Sequence, residues 1–375
     1  MTPAAKVVIC NRCNKQYSVA KYAAIIRCTE CKVIIPGPAS VELGHQIRHA
    51  LSKTKSTLHQ SFGNGGKLLK RMHSSSTNVS SLDTKPPYAA GNSGEAHGMK
   101  RALLCGVTYR DKTYSLKGTV NDVKRMKVLL MQRFGYRRDC IRILTEETGS
   151  ESDFSPTKKN IQESLKWLVE GSESGDSLVF YFSGHGLRQP DFNDDEKDGF
   201  DETICPVDFM QEGMILDNEI NSTIVRPLKK GITLHAIVDA CHSGTVLDLE
   251  YVYDLPKDIW IDNKPPSKAD KSTSGGLAIC LSACGDDEMA SDTSAFTGKD
   301  MTGAMTFILI HVVENVPEIT YGSLLDQMHE VIEQVNYKRC LTVPCLRILL
   351  GHRKIENPML SSSQEFPVYS KKFLL

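Results

Sequence analysis

From residue 99 onward the sequence predicts an α/β domain on a largely parallel sheet, and three observations carry that prediction. First, the apolar runs ALLCGVTY (102–109), IRIL (141–144), SLVFYFS (177–183), ITLHAIVDA (232–240) and GLAICLSA (276–283) have the length and residue content of buried strands. Second, helical periodicities at 119–133, 157–170, 302–313 and 321–335 are interspersed with them. Strands alternating with helices require helices on both faces of the sheet, which is the parallel arrangement. Third, the two groups of greatest chemical interest follow strand ends: SGHG after SLVFYF, and CHSG after ITLHAIVDA. Open α/β sheets bind ligands outside the carboxyl ends of their strands.

The rest of the chain divides by composition. Residues 1–36 are cysteine-rich and run into Pro36, Gly37 and Pro38; residues 37–98 hold GNGG, HSSSTNVSS, KPP and GNSG, a flexible Ser/Gly/basic linker without Asp or Glu between His45 and Ser76. Within the domain at 99–375, a large part (99–248) and a small part (276–375) flank a polar, Pro-containing stretch at 249–275 that is expected to be a loop. The chain's 375 residues suffice for one large domain or two smaller ones, and 40% hydrophobic with 24% charged residues is ordinary for a soluble globular protein. Its 45 basic and 45 acidic residues cancel, so no whole-chain pull toward nucleic acid or membrane is implied. No apolar stretch reaches about 18 residues, so no transmembrane helix is expected. The start, MTPAAKVVICNRC, lacks the basic flank, apolar core and cleavage site of a secretory signal. Twelve cysteines without such a signal argue for a reducing compartment, cytosolic or nuclear, with thiols used as ligands or nucleophiles.

Two chemistries are legible in the cysteines. Cys10 and Cys13 form one CxxC, and Cys28 and Cys31 another, with 14 residues between them. Four thiolates in two knuckles suit a tetrahedral structural Zn2+ site, which so short a segment needs in place of a core. Cys241, in IVDACHSGT, has the setting of a nucleophile. A thiol with a pKa near 8.5 needs a basic partner to attack as thiolate. The adjacent His242 is badly placed: neighbouring side chains point to opposite faces of a strand, and on a helix they diverge by about 100°. His185, flanked by Gly184 and Gly186 at another strand end, is the better base, and lies 56 residues upstream, similar to the caspase spacing. Asp239 lies two residues before Cys241 and shares its face of the strand, so an ionised carboxylate there needs a reason.

Together, YFSGHG, DETICPVD, DACHSGTVLDL and TGAMTF resemble the metacaspases, caspase-related cysteine proteases of plants, fungi and protozoa. The resemblance covers about residues 99–375. The short 249–275 stretch and the Cys-rich N-terminus make it a type I, plant-like resemblance, in which a lesion-simulating-disease type zinc finger precedes the peptidase. The YPxGA stretch usual between the knuckles is replaced here by KQYSVAKYAAII.

The resemblance implies a caspase-like fold and a Cys241–His185 dyad, with an oxyanion hole from the amides of Gly186 and Cys241. It implies protein or peptide substrates cleaved after Arg or Lys, read by Asp122, Asp239 and Ser183. The acid-rich DFNDDEKDGFDE (191–202) is not an EF-hand, because position twelve counted from Asp194 is Cys205. The resemblance places Ca2+ instead at Asp201, Asp217, Asn218 and Asp248, with Asn218 standing where the family usually has aspartate. Thr119 stands where the family usually has cysteine. Further implications are a monomer, protein partners through the zinc finger, a role in regulated cell death or stress responses, and self-cleavage near Lys257, Lys264, Lys268 and Lys271 or in the linker. No specific nucleic acid or membrane is expected as partner. The competing expectation is a zinc-finger scaffold with little or no protease activity; another is an unrelated Cys–His hydrolase without the paired acids.

Overall fold

The computed structural model of the chain describes residues 5–9, 13–20, 25–27, 30, 34–36, 98–148, 153–193, 195–265, 267–283, 292–293, 302–316, 318–336 and 355–375. The main sheet has eight strands. Five are parallel: β1 (Lys100–Gly106), β2 (Ile141–Thr145), β3 (Ser177–Ser183), β7 (Thr233–Asp239) and β10 (Leu277–Ser282). Three are antiparallel: β8 (Tyr251–Asp254), β9 (Ile259–Asp262) and β12 (Met359–Ser362). The order across the sheet is β9-β8-β12-β10-β7-β3-β1-β2. A small antiparallel sheet, β4 (Gly186–Pro190), β5 (Phe200–Ile204) and β6 (Ile215–Leu216), rises directly from the end of β3. β11 (Thr302–Gly303) pairs with Asp292–Thr293 and leads into a helix.

Period-two alternation assigns the strand side chains to two cores. On one face Ala102, Leu104, Val179, Tyr181, Ile237, Ile279 and Leu281 pack with α1 (Thr119–Arg133), α3 (Ala304–Asn315) and α4 (Tyr321–Asn336). On the other, Leu103, Cys105, Leu178, Phe180, Phe182, Leu234, Ala236 and Val238 pack with α2 (Lys158–Val169) and the segment from Phe209 to Leu228. Burying each such apolar side chain is worth about 1.5–3 kcal/mol, so these layers dominate the stability. Thr157 caps α2, its hydroxyl accepting from the Asn160 amide at 3.2 Å. No helix among the described residues is long and apolar enough to cross a membrane.

Two expectations change. The 249–275 stretch is not all loop, because YVYD and IWID form the hairpin β8–β9, which pairs with β12 and covers that edge of the sheet. Aromatic and β-branched residues drive it: Tyr253 and Trp260 lie 5.2 Å apart, and Trp260 donates to the Phe366 carbonyl. The first strand ends at Gly106, short of Tyr109. There the chain turns at positive φ at Tyr109 and Asp111, while the Glu146 carboxylate accepts the amides of Thr108, Tyr109 at 2.7 Å and Arg110 at 2.9 Å.

Near the N-terminus, Ala5–Ile9 pairs antiparallel with Gln16–Ala20, and Ile25–Arg27 with Ile34–Pro36. Each CxxC falls in the sequence between the two strands of one hairpin. Cys10, Cys28 and Cys31 lie outside the described residues; Cys13 is exposed.

Candidate active site

The strand order reverses at β1, with β2 on one side and β3 on the other, so a crevice opens at the carboxyl ends of β1, β3 and β7. β3 and β7 pair in parallel with Ser183 opposite Asp239. His185 and Cys241 therefore stand at equal distances beyond paired positions and leave the sheet side by side. The Gly186 backbone lies against the Cys241 carbonyl, where an added Cβ would come within 2.0 Å of that oxygen, so only glycine permits this approach. His242, next in the chain, has a positive φ of 50°.

His185 is held from three sides. Its Nε2 lies 2.7 Å from the Tyr114 carbonyl. A carbonyl only accepts, so Nε2 carries the proton and Nδ1 is the basic nitrogen. Its backbone N–H donates to the Tyr109 hydroxyl at 2.9 Å, and that hydroxyl donates to the Cys205 carbonyl at 2.6 Å. The Tyr109 ring lies 4.7 Å from the imidazole. Burial pushes the His185 pKa below the usual value of 6.5, against a smaller upward pull from the Tyr114 hydrogen bond, so the ring is neutral and able to accept a proton at neutral pH. Tyr109, Tyr114 and Glu146 were not singled out from the sequence: the orienting group is a backbone carbonyl, which carries no residue signature, and Glu146 acts only by accepting backbone amides.

The three pocket candidates meet beneath the dyad on the α1/α3 face. The Ser183 hydroxyl donates to Asp122 at 3.1 Å. Asp122, at zero exposure on α1, accepts the Gly303 amide at 2.9 Å. Asp239 accepts the Thr306 amide at 3.0 Å and the Thr306 hydroxyl at 2.6 Å. Asp239 thus sits at the N-terminus of α3, where the helix dipole favours an anion. Gly303 fits between the acids, an added Cβ lying 2.2 Å from Asp239 Oδ2 and 3.1 Å from Asp122 Oδ2. These donors are amides and hydroxyls, which are themselves neutral. Gly303 and Thr306 lie in TGAMTF, a motif quoted from the sequence without a role for either residue.

The four calcium candidates come together in a second acidic cluster. Asp217 is fully buried and accepts the amides of Glu202 at 2.6 Å and Asn218 at 2.7 Å. Carboxylate oxygens of Glu196, Asp217 and Asp248 lie within 4.8 Å of one another, as do those of Asp191, Asp195 and Asp201. Burial, then Asp248, pushes the Glu196 pKa up to about 9; burial, then neighbouring carboxylates, raises Asp217. Burial also raises Asp201 and Asp248. Lys271 bridges Asp195 at 2.8 Å, Glu196 at 3.2 Å and Asp248 at 2.7 Å. These six carboxylates outnumber the one ammonium, and an oxygen donor set of this kind fits a hard divalent cation. Neither Glu196 nor Lys271 was assigned to this site from the sequence; the acid density of 191–202 was the signal for the first, and nothing local marks the second.

The site lies where the comparisons with known proteins also fall. Residues 100–250 match the family model "Metacaspase, peptidase C14 domain". The chain is 46% identical over 292 residues to Metacaspase-1 of Arabidopsis thaliana, covering 74% of this chain and 79% of that protein. Metacaspase-3 of the same plant is 46% identical over 282 residues (74% and 76% covered), and Metacaspase-2 is 43% identical over 307 residues (74% and 73% covered). The chain belongs to the metacaspases, as a type I, plant-like member, and is a caspase-like cysteine endopeptidase acting on protein substrates.

Proposed function

We propose that this protease cleaves after Arg or Lys in a calcium-dependent reaction, with Cys241 as nucleophile and His185 as base. The observation that carries the proposal is the pair of buried carboxylates, Asp122 and Asp239, joined through Gly303 beneath the dyad. A guanidinium or ammonium entering a partly desolvated slot needs such acids; an Asp side chain would be repelled. His185 Nδ1 takes the Cys241 thiol proton, the thiolate attacks the scissile carbonyl, and the amides of Gly186 and Cys241 stabilise the oxyanion. The imidazolium returns the proton to the leaving amine, the acyl-enzyme forms, and water attack assisted by the same histidine releases the acid. Tyr114 O holds the ring in the required tautomer throughout, so no third acid is needed.

Asp201, Asp217, Asn218 and Asp248 would hold calcium. Bound there, the ion supplies positive charge to crowded carboxylates. These residues lie on the segments that follow His185 and Cys241, so an ion held by them would join two segments already linked by the Thr245 hydroxyl, which donates to Glu202 at 2.7 Å. The N-terminal cysteines would hold structural zinc, supported by two CxxC pairs each falling within one hairpin. Self-cleavage fits the exposed Lys257, Lys264 and Lys268. The test is hydrolysis of Arg-ended against Asp-ended fluorogenic peptides, with calcium or chelator, by the wild-type chain and Cys241→Ala. Arg-ended cleavage that needs both calcium and Cys241 is expected; cleavage of Asp-ended peptides, or activity surviving in Cys241→Ala, would overturn it.

A further inference from the structure

Among the lysines of the 264–275 stretch, Lys264 and Lys268 are exposed, whereas Lys271 is 6% exposed. Lysine is almost never buried without partners, and the partners here are unusual in number and origin. Its Nζ meets Asp195 Oδ2 at 2.8 Å and Glu196 Oε1 at 3.2 Å from one segment, Asn218 Oδ1 from a second, and Asp248 Oδ2 at 2.7 Å from a third. An ammonium has three protons, so four oxygens from three segments resemble the shell of a cation more than a matched ion pair. Two of those oxygens, on Asn218 and Asp248, belong to the proposed calcium set. A dication bound by them would lie against the ammonium that now uses them, and like charges sharing ligands repel.

We propose that Lys271 is a tethered counter-cation: it fills the acidic cluster in the absence of calcium, and calcium and Lys271 exclude one another. The inference rests on the calcium site proposed above and adds an occupant that the site must lose. The lysine bridges the acid-rich hairpin to the turn after Cys241 with one positive charge, and calcium replaces it with two. Its withdrawal frees the side-chain tie between the 264–275 stretch and the cluster. Asn221, which donates to the Lys271 carbonyl at 3.2 Å and to those of Leu247 and Asp248, retains the backbone. The device is therefore a side-chain exchange that converts calcium entry into exposure of one particular amine. By linkage, removing the lysine charge must raise calcium affinity by the same factor by which calcium expels the lysine.

The experiment uses the full chain carrying Cys241→Ala, which prevents self-digestion. An amine-acetylating reagent is applied with chelator or with saturating calcium, and modification of each lysine is followed by peptide mass spectrometry. Lys271 is expected to be protected in chelator and acetylated about tenfold faster with calcium, while Lys264 and Lys268 do not change. In parallel, calorimetric titration is expected to give calcium binding about tenfold tighter for Lys271→Met than for the parent, and no tighter for Lys271→Arg. Calcium binding with Lys271 still protected, or equal affinity in the parent and Lys271→Met, overturns the exchange and leaves the calcium site standing. Absence of calcium binding to the parent, Lys271→Met and Lys271→Arg alike overturns both. If Lys271→Met does not fold, labelling of the parent chain decides alone.

Discussion

Two sets of buried acids lie within one domain, and the fold treats them in opposite ways. Asp122 and Asp239 are two carboxylates on either side of Gly303 that accept from the Gly303 and Thr306 amides and from the Ser183 and Thr306 hydroxyls. Around Lys271, six carboxylates crowd together, three of them share one ammonium, and Glu196 and Asp217 hold their protons well above the usual range. Neutral donors leave a charge in place for a visiting cation; crowding makes the cluster demand one. The first arrangement suits a substrate side chain that must come and go. The second suits an ion that stays, and the same residue types serve both because neighbours, not composition, set their chemistry.

The comparison breaks most sharply at Asp239. Asp239→Asn removes the pocket charge while keeping a hydrogen-bonding side chain at α3, and kcat/KM for Arg-ended peptides is expected to fall about 10²- to 10³-fold. A drop below about threefold, with Arg still preferred, would mean that Asp239 only caps the helix. Next in size is pH dependence in the second cluster. Glu196 is raised from 4.5 to about 9, so the folded, calcium-free chain binds more protons than the unfolded chain between those values. Stability should therefore fall as pH rises through that window. Thermal melts in chelator between pH 5.5 and 8.5 should show Tm declining, with a shallower decline in Glu196→Gln. An identical slope for the two chains would deny the crowding.

Smaller effects sharpen the picture. Tyr109→Phe keeps the ring against His185 but removes the hydroxyl that joins the His185 amide to the Cys205 carbonyl. About a tenfold loss in kcat is expected, with KM nearly unchanged; a change confined to KM would assign the hydroxyl to substrate binding. Asn218→Asp restores one negative charge among the proposed calcium ligands, and calcium affinity should rise several-fold. Unchanged affinity in calorimetry would remove the charge argument.

Much of this was legible in the letters, for a physical reason. SLVFYFS coincides with β3 and 119–133 with α1, because buried parallel strands and amphipathic helices write their periods directly into sequence. Asp239 could be linked to Cys241 because strand parity is a local rule. The hairpin β8–β9 was hidden within a polar stretch, since its stability comes from pairing with β12, over a hundred residues downstream. The Tyr114 carbonyl and the Gly303 amide are backbone groups and have no residue code. Lys271 was one of several lysines in a loop; only folding brings it to acids from three segments.

The central claim is that one nucleophile, Cys241, works above a pocket built for a basic side chain. Its most direct test is the rate of covalent capture by peptide ketones ending in Arg or in Asp, with the adduct located by mass spectrometry in the calcium-loaded chain. The account predicts capture at Cys241, about 100-fold or more faster for the Arg reagent. Equal rates for the two reagents, or an adduct on another cysteine, would contradict it.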